Sequence, residues 1–325
     1  MKIIYSSKHL KHDPPYEVYD GEYEVYAETP ERIESISQEL KLNGLQLDKP
    51  IKFPIKHIKR IHSEVYIKFI KQRSGNLTDS EVLYPSYFIK DTYTPITYGT
   101  YDAAIESSNV ALTGAMCIIK GDRCVYSLCR PPGHHAECKA MSGYCYFNNA
   151  AICAQYLSVS GKVAILDIDL HHGNGTQDAF YDRSDVLYVS LHADPRFKFP
   201  YTTGFSNEIG EREGRGYNFN YPLPMGISND EYKETLTLAL KDIKSYDPDY
   251  LIVSTGFDTY INDPIGGFKL TIPFYKTVGK MIDSIKLPTL LIQEGGYNVD
   301  DLGKIALSFL RGFNIRAFEK DRKLL

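Results

Sequence analysis

The sequence has no apolar run approaching the roughly 20 residues needed to cross a bilayer, and Met1 to Ser6 carry too short an apolar run for a secretory signal. No membrane partner is expected, and the cytoplasm is the expected location. Nor is there a cluster of lysines and arginines, and the formal net charge is -4. That excludes the basic stripe on which nucleic-acid binding depends. No Cys-x-x-Cys pair occurs, although all six cysteines lie between Cys117 and Cys153. This spacing argues against a metal knot and against a disulfide framework, so reduced structural thiols are expected. Internal repeats, low-complexity tracts and flexible linkers are also missing, and a single domain over residues 1–325 is expected.

What the chain does have is five short apolar runs: Cys124 to Leu128, Val163 to Leu166, Val186 to Leu191, Tyr250 to Val253 and Thr289 to Ile292. Mostly β-branched or aliphatic, they read as buried strands, and each is followed at once by residues able to do chemistry. Helical patterns lie between and around them. One runs to about Leu42, with Thr29 as capping residue and Pro30 at the first helical position; others follow Ser63 and cover 100–119, 147–156, 229–243, 274–285 and 302–313. Alternating strands and helices predict parallel pairing through right-handed crossovers. The expected fold is a three-layer α/β/α architecture with a central, mostly parallel sheet, in which ligands collect at the carboxyl ends of the strands. Residues 192–224, rich in Gly, Pro, Asn and aromatics, read as a long loop beside that site.

Asp169 and His171 stand two apart just past a strand, so in extended backbone both side chains point the same way. Asp258, past another strand, supplies a third ligand. Two carboxylates and one imidazole leave an open position, which suits a catalytic zinc, with ferrous iron or cobalt as substitutes. His134 and His135 follow Pro131-Pro132-Gly133, and adjacent imidazoles in a metal cleft suit proton transfer. Asp167 is the natural carboxylate partner for one of them, and Asn174 is placed to orient the other. Tyr297, after Gly295-Gly296, is placed to donate its phenol to a carbonyl oxygen as negative charge grows there.

Four segments together, Arg130 to His135, Asp167 to Thr176, Gly256-Phe257-Asp258 with Asp263-Pro264, and Glu294 to Tyr297, resemble the motifs of the zinc-dependent arginase/deacetylase superfamily. Within it they resemble the histone deacetylase and acetylpolyamine amidohydrolase group, in the same order and across nearly the whole chain. The resemblance implies one zinc ion on Asp169, His171 and Asp258, His135 as general base and then acid, and His134 as its electrostatic companion backed by Asp167. It implies that Tyr297 polarises the substrate carbonyl. Tyr144 and Phe199 would flank a narrow tunnel, with Gly143 and Ile265 as further substrate-contacting positions. A structural potassium ion near Asp167, Asp169, His171, Ser190 and Leu191 is implied as well. Asn174 departs from the aspartate that many members carry and leaves its histidine without a charged partner.

The implied activity is removal of acetyl groups from acetylated amines. A dimanganese ureohydrolase would need further carboxylates, but Gly173 and Tyr260 stand two residues beyond His171 and Asp258. A binding protein without catalysis would have lost a ligand, the histidine pair or Tyr297, and none is missing. Between Asp13 and Glu28 lie six acidic residues, four tyrosines and no basic residue, a composition suited to a cationic amine. That segment, with Asp91–Thr97 and Tyr221–Pro224, resembles the acetylpolyamine amidohydrolases, whose loop insertions form a homodimer and narrow the entrance. It favours small acetylated amines. His135-Ala136-Glu137 and Tyr144 to Asn148 look as much like class II protein deacetylases, and Ile265 supplies no acidic gatekeeper, so protein acetyl-lysine is the alternative substrate.

Overall fold

Alternate residues of the apolar runs face opposite ways, and that alternation sets the architecture. The computed structural model describes residues 1–313, so the last part of the expected 1–325 domain lies outside the described residues. Its strands are β1 (Lys2–Ile4), β2 (Tyr16–Tyr19), β3 (Glu22–Val25), β4 (Leu47–Asp48), β5 (Val82–Leu83), β6 (Ile96–Thr97), β7 (Cys124–Ser127), β8 (Val163–Asp167), β9 (Val186–Ala193), β10 (Asn218–Leu223), β11 (Tyr250–Thr255) and β12 (Thr289–Gln293). Its helices are α1 (Glu31–Leu42), α2 (Glu64–Gly75), α3 (Thr100–Ile119), α4 (Asn149–Leu157), α5 (Asn174–Phe180), α6 (Asn229–Tyr246), α7 (Ile272–Asp283) and α8 (Val299–Leu310). Eight strands form one sheet in the order β10-β9-β8-β11-β12-β7-β1-β4, and every pairing in it is parallel.

Leu166, Val189, Val253 and Leu291 point to one face, where they pack with Ile36 of α1, Leu236 of α6, Val278 of α7 and Ile305 of α8. Ile165, Tyr188, Ile252 and Ile292 point to the other, against Ile70 of α2, Leu112 of α3 and Ile152 of α4. Strands buried on both faces need apolar residues at every position, which is why the five runs are continuous. Local signals set the helix starts. Ser63 accepts a hydrogen bond from the Tyr66 N–H at the head of α2, and Ser228 with Glu231 closes a capping box on α6. At α1 the expectation needs correcting. The helix begins at Glu31 with Pro30 as its flanking residue and no side-chain cap; Thr29 contributes its carbonyl, which accepts from the Arg32 N–H.

The expected loop over 192–224 contains a further strand. β10 lies at the sheet edge beside β9, and it escapes an apolar pattern because its inward positions are Asn218 and Asn220. Their amides donate to Gln177 Oε1 at 3.0 and 2.8 Å, so burial there is polar. An edge position also tolerates Pro222. Residues 16–25, read as an acidic aromatic segment, form the antiparallel hairpin β2–β3, turned by Asp20 and Gly21 at φ 49° and 88°. No helix among the described residues is long and apolar enough to cross a membrane.

Candidate metal centre and catalytic pocket

The carboxyl ends of β7, β8, β11 and β12 bring the chemical residues to one place. Asp169, His171 and Asp258 are buried, and one donor atom from each lies within 4.8 Å of the others. His171 Nδ1 is 2.9 Å from Asp258 Oδ2 and 3.3 Å from Asp169 Oδ1. Ligands about 2.1 Å from a tetrahedral ion sit about 3.4 Å apart, so the two distances from His171 Nδ1 suit a single zinc-sized ion. The remaining oxygens are tied back by backbone: Gly295 N–H donates to Asp169 Oδ2 at 2.8 Å and Leu170 N–H to Asp258 Oδ1 at 2.8 Å. Glycine is required here, because a Cβ on Gly295 would come within 2.6 Å of both carboxylates.

The charges at this point are unbalanced in a way a cation would relieve. Burial, and then neighbouring Asp169, push the Asp258 carboxyl up to about 7. Burial acts the same way on Asp169, but His134 and His171 outweigh it and hold that carboxyl below its usual value. Burial would likewise lower the His171 imidazole, yet the two carboxylates raise it to about 9. A divalent ion would take the place of that proton, since a ligating imidazole must be neutral.

His134 and His135 are both buried, with ring centres 4.0 Å apart, and their surroundings differ. His134 Nδ1 lies 3.1 Å from Asp167 Oδ2. Burial lowers its pKa, but Asp169 and Asp167 overcome that and raise it to about 10; a divalent charge on the same carboxylates would work against the rise. His135 is driven well below the ordinary imidazole value by burial, then by His134 and His171. Its Nδ1 is 2.8 Å from Asn174 Oδ1, while the Asn174 amide donates to Glu137 Oε1 at 2.9 Å. That second bond fixes the amide so that its oxygen faces His135, which therefore carries its proton on Nδ1 and leaves Nε2 free.

The pocket above these residues has a volume of about 400 Å³. Tyr144 and Phe199 line it, with Tyr93 between them at ring distances of 5.6 and 5.7 Å, and Phe199 stands 4.9 Å from His135. Gly143 and Ile265 are also in its wall. A Cβ on Gly143 would run into the His135 ring, and its φ of +54° adds to the demand for glycine. Tyr297 lines the same cavity, 5.8 Å from Tyr144, and its hydroxyl makes no hydrogen bond among the described residues. Ser190 pairs in register with Asp167 on the neighbouring strand, and Leu191 follows it.

Several residues gave no sign in the sequence of the supporting roles they take, although Glu294 and Asp263 lie within the family-like segments. Glu294 accepts from the Gly133 and His134 N–H groups at 2.6 and 3.2 Å and so holds the histidine loop. Arg32, from α1, donates to the carbonyls of Gly296 and Glu294 at 2.5 and 2.6 Å. Asp263 accepts from the Tyr297 N–H at 2.6 Å. Of the acidic N-terminal segment, Glu17 and Glu24 reach the pocket, whereas Glu28 is buried between Arg32 and Arg130. His192, at the end of β9, is turned away from the pocket; it bonds Ser190 and the Gly204 carbonyl and anchors the loop that carries Phe199.

A histone deacetylase domain matches residues 26–313. The chain belongs to that family. It is 42% identical to acetylpolyamine amidohydrolase 2 of Pseudomonas aeruginosa, over 96% of this chain and 98% of that one. Acetylpolyamine amidohydrolase of Mycoplana ramosa is 36% identical over 96% and 99%. The crystal structure of acetylpolyamine aminohydrolase from Burkholderia pseudomallei superposes with a TM-score of 0.92 at 34% identity, covering 96% of this chain and 98% of that one. Family membership agrees with the three-layer fold, whose sheet proves wholly parallel.

Proposed function

We propose that the chain is a metal-dependent amidohydrolase that releases acetate from small acetylated amines, acetylpolyamines among them. One observation carries the substrate side of this reading. Glu17 is buried in the pocket wall, accepts from the Tyr144 hydroxyl at 3.1 Å, and faces no cationic side chain within ion-pair distance among the described residues. An ammonium group of the substrate would supply the missing charge.

Asp169, His171 and Asp258 would hold zinc, which when bound makes the amide carbonyl more electrophilic and water more acidic. His135, neutral and oriented through Nδ1 by Asn174, takes the proton of the attacking water on Nε2 and passes it to the departing amine nitrogen. The amine then leaves with acetate as the other product. Tyr297 donates its phenol O–H to the carbonyl oxygen as that oxygen becomes negative. Burial raises the phenol well above its usual value, so it stays protonated and able to donate. His134, next to Asp167, contributes charge rather than proton transfer.

The reading includes a potassium ion on backbone and carboxylate oxygens of Asp167, Asp169, His171, Ser190 and Leu191, supported by the burial and side-by-side placement of these segments. Thermal unfolding in potassium against tetramethylammonium tests it. A homodimer is also part of the reading: Tyr16, Tyr23 and Val25 leave an exposed apolar face on the β2–β3 hairpin. Light scattering decides that. A cytoplasmic setting is supported by six free thiols. Acetate release from acetylputrescine and from an acetyl-lysine peptide, side by side, tests the main claim. Preference for the peptide would overturn it in favour of a protein deacetylase.

A further inference from the structure

Lys198 puts an ammonium in the wall of this pocket. It sits next to Phe199 on the loop after β9, and its Nζ donates to the Gly266 carbonyl oxygen at 3.1 Å. Among the described residues no carboxylate lies within ion-pair distance of it. Partial burial draws the amine below its usual value, against the pull of Asp258 and Asp263. The pocket therefore contains two opposite charges that do not satisfy each other: Glu17, bonded on the Tyr144 side, and Lys198, tied to Gly266 beside Ile265. A tail bearing only ammonium groups would satisfy Glu17 and be repelled by Lys198. A zwitterion would satisfy both.

We propose that Lys198 is a specificity-determining residue that receives a carboxylate, and that the preferred substrates are free α-amino acids acetylated on a side-chain amine. In such a substrate the α-ammonium pairs with Glu17 and the α-carboxylate with Lys198, while the acetamide reaches the metal centre. This inference rests on the amidohydrolase reading above and narrows its substrate class.

The test compares Nε-acetyl-L-lysine with its α-carboxamide, in which a neutral amide replaces the carboxylate, at about pH 7, where the amide's less basic α-amine is still largely protonated, and with acetylputrescine. Acetate release is measured for the zinc-loaded wild type, Lys198→Met and Lys198→Arg. The wild type should favour the acid over the amide by about tenfold in kcat/KM, the scale of one charge-assisted hydrogen bond. Lys198→Met should erase that ratio through KM and improve acetylputrescine, and Lys198→Arg should keep the ratio. Equal wild-type use of acid and amide, or equal losses on all three substrates in Lys198→Met, would overturn the inference and leave a role in holding the loop to Gly266. If Lys198→Met fails to fold, the wild-type acid-to-amide ratio still decides. Turnover of acetylputrescine without preference for the acid refutes only this inference. No acetate from any of the three refutes the amine reading as well.

Discussion

The guanidinium carbon of Arg32 lies 4.6 Å from the centre of the Tyr297 ring, although the two residues come from opposite ends of the chain. Arg32 also holds the backbone oxygens on either side of Gly295, so the Tyr297 loop is clamped by charge, hydrogen bonds and ring contact. In the proposed reaction a phenol held this firmly gains little from the ground state and acts when charge develops on the substrate. Tyr297→Phe should keep its metal content and KM and lose about 10²- to 10³-fold in kcat, the usual cost of one oxyanion donor. Steady-state kinetics with metal analysis checks it.

Asn174 joins His135 to Glu137, and Glu137 in turn pairs with Lys90 at 2.6 Å. Asn174→Ala frees the imidazole to rotate and to change tautomer. Turnover should fall about 10²-fold, within the range for general acid–base catalysis, with bound zinc and thermal midpoint little altered. Full activity in this variant would remove Asn174 from the proton-transfer arrangement.

Burial raises the Glu17 carboxyl to about 7, so it gains its charge as the pH rises through that value. Affinity for a cationic substrate should rise with it, and KM for acetylputrescine should fall between pH 6 and pH 8. Glu17→Gln should raise KM about tenfold at pH 8, as expected for one lost charge-assisted hydrogen bond, and flatten its pH dependence over this window.

Gly143→Ala places a methyl group against the His135 ring and strains a positive-φ backbone. It should cost about 1–3 kcal/mol of stability. Because the displaced ring is the proton acceptor of the proposed reaction, activity should fall much further than stability. Calorimetry and kinetics on the same preparation separate the two effects.

Removing the metal with a chelator should abolish acetate release, and zinc should restore it. A bound ion at about 1,000 times its Kd stabilises the folded state by about 4 kcal/mol, so the thermal midpoint should drop on chelation. Asp258→Ala should lose activity and show no such drop, having no complete ligand set to lose.

Sequence alone determined the elements whose signals are local. Continuous β-branched runs marked the five central strands, since both faces of each are buried. The Pro-Pro-Gly and Gly-Gly steps, and the Asp-x-His spacing, marked the strand ends where Asp169, His171, Asp258, the His134–His135 pair and Tyr297 gather. Tertiary structure decided what depends on distant chain segments meeting. It put Arg32 under Tyr297, Glu294 behind the histidine loop, Glu137 behind Asn174 and His192 in a structural role, and it chose Glu17 over Glu28 to face the pocket. It also made a strand of Asn218–Leu223, where buried amides replace the apolar period. A side chain's own sequence neighbourhood fixes its secondary structure where the apolar period is local, but its charge partners and its access to the cavity are set only when the sheet and helices close around it.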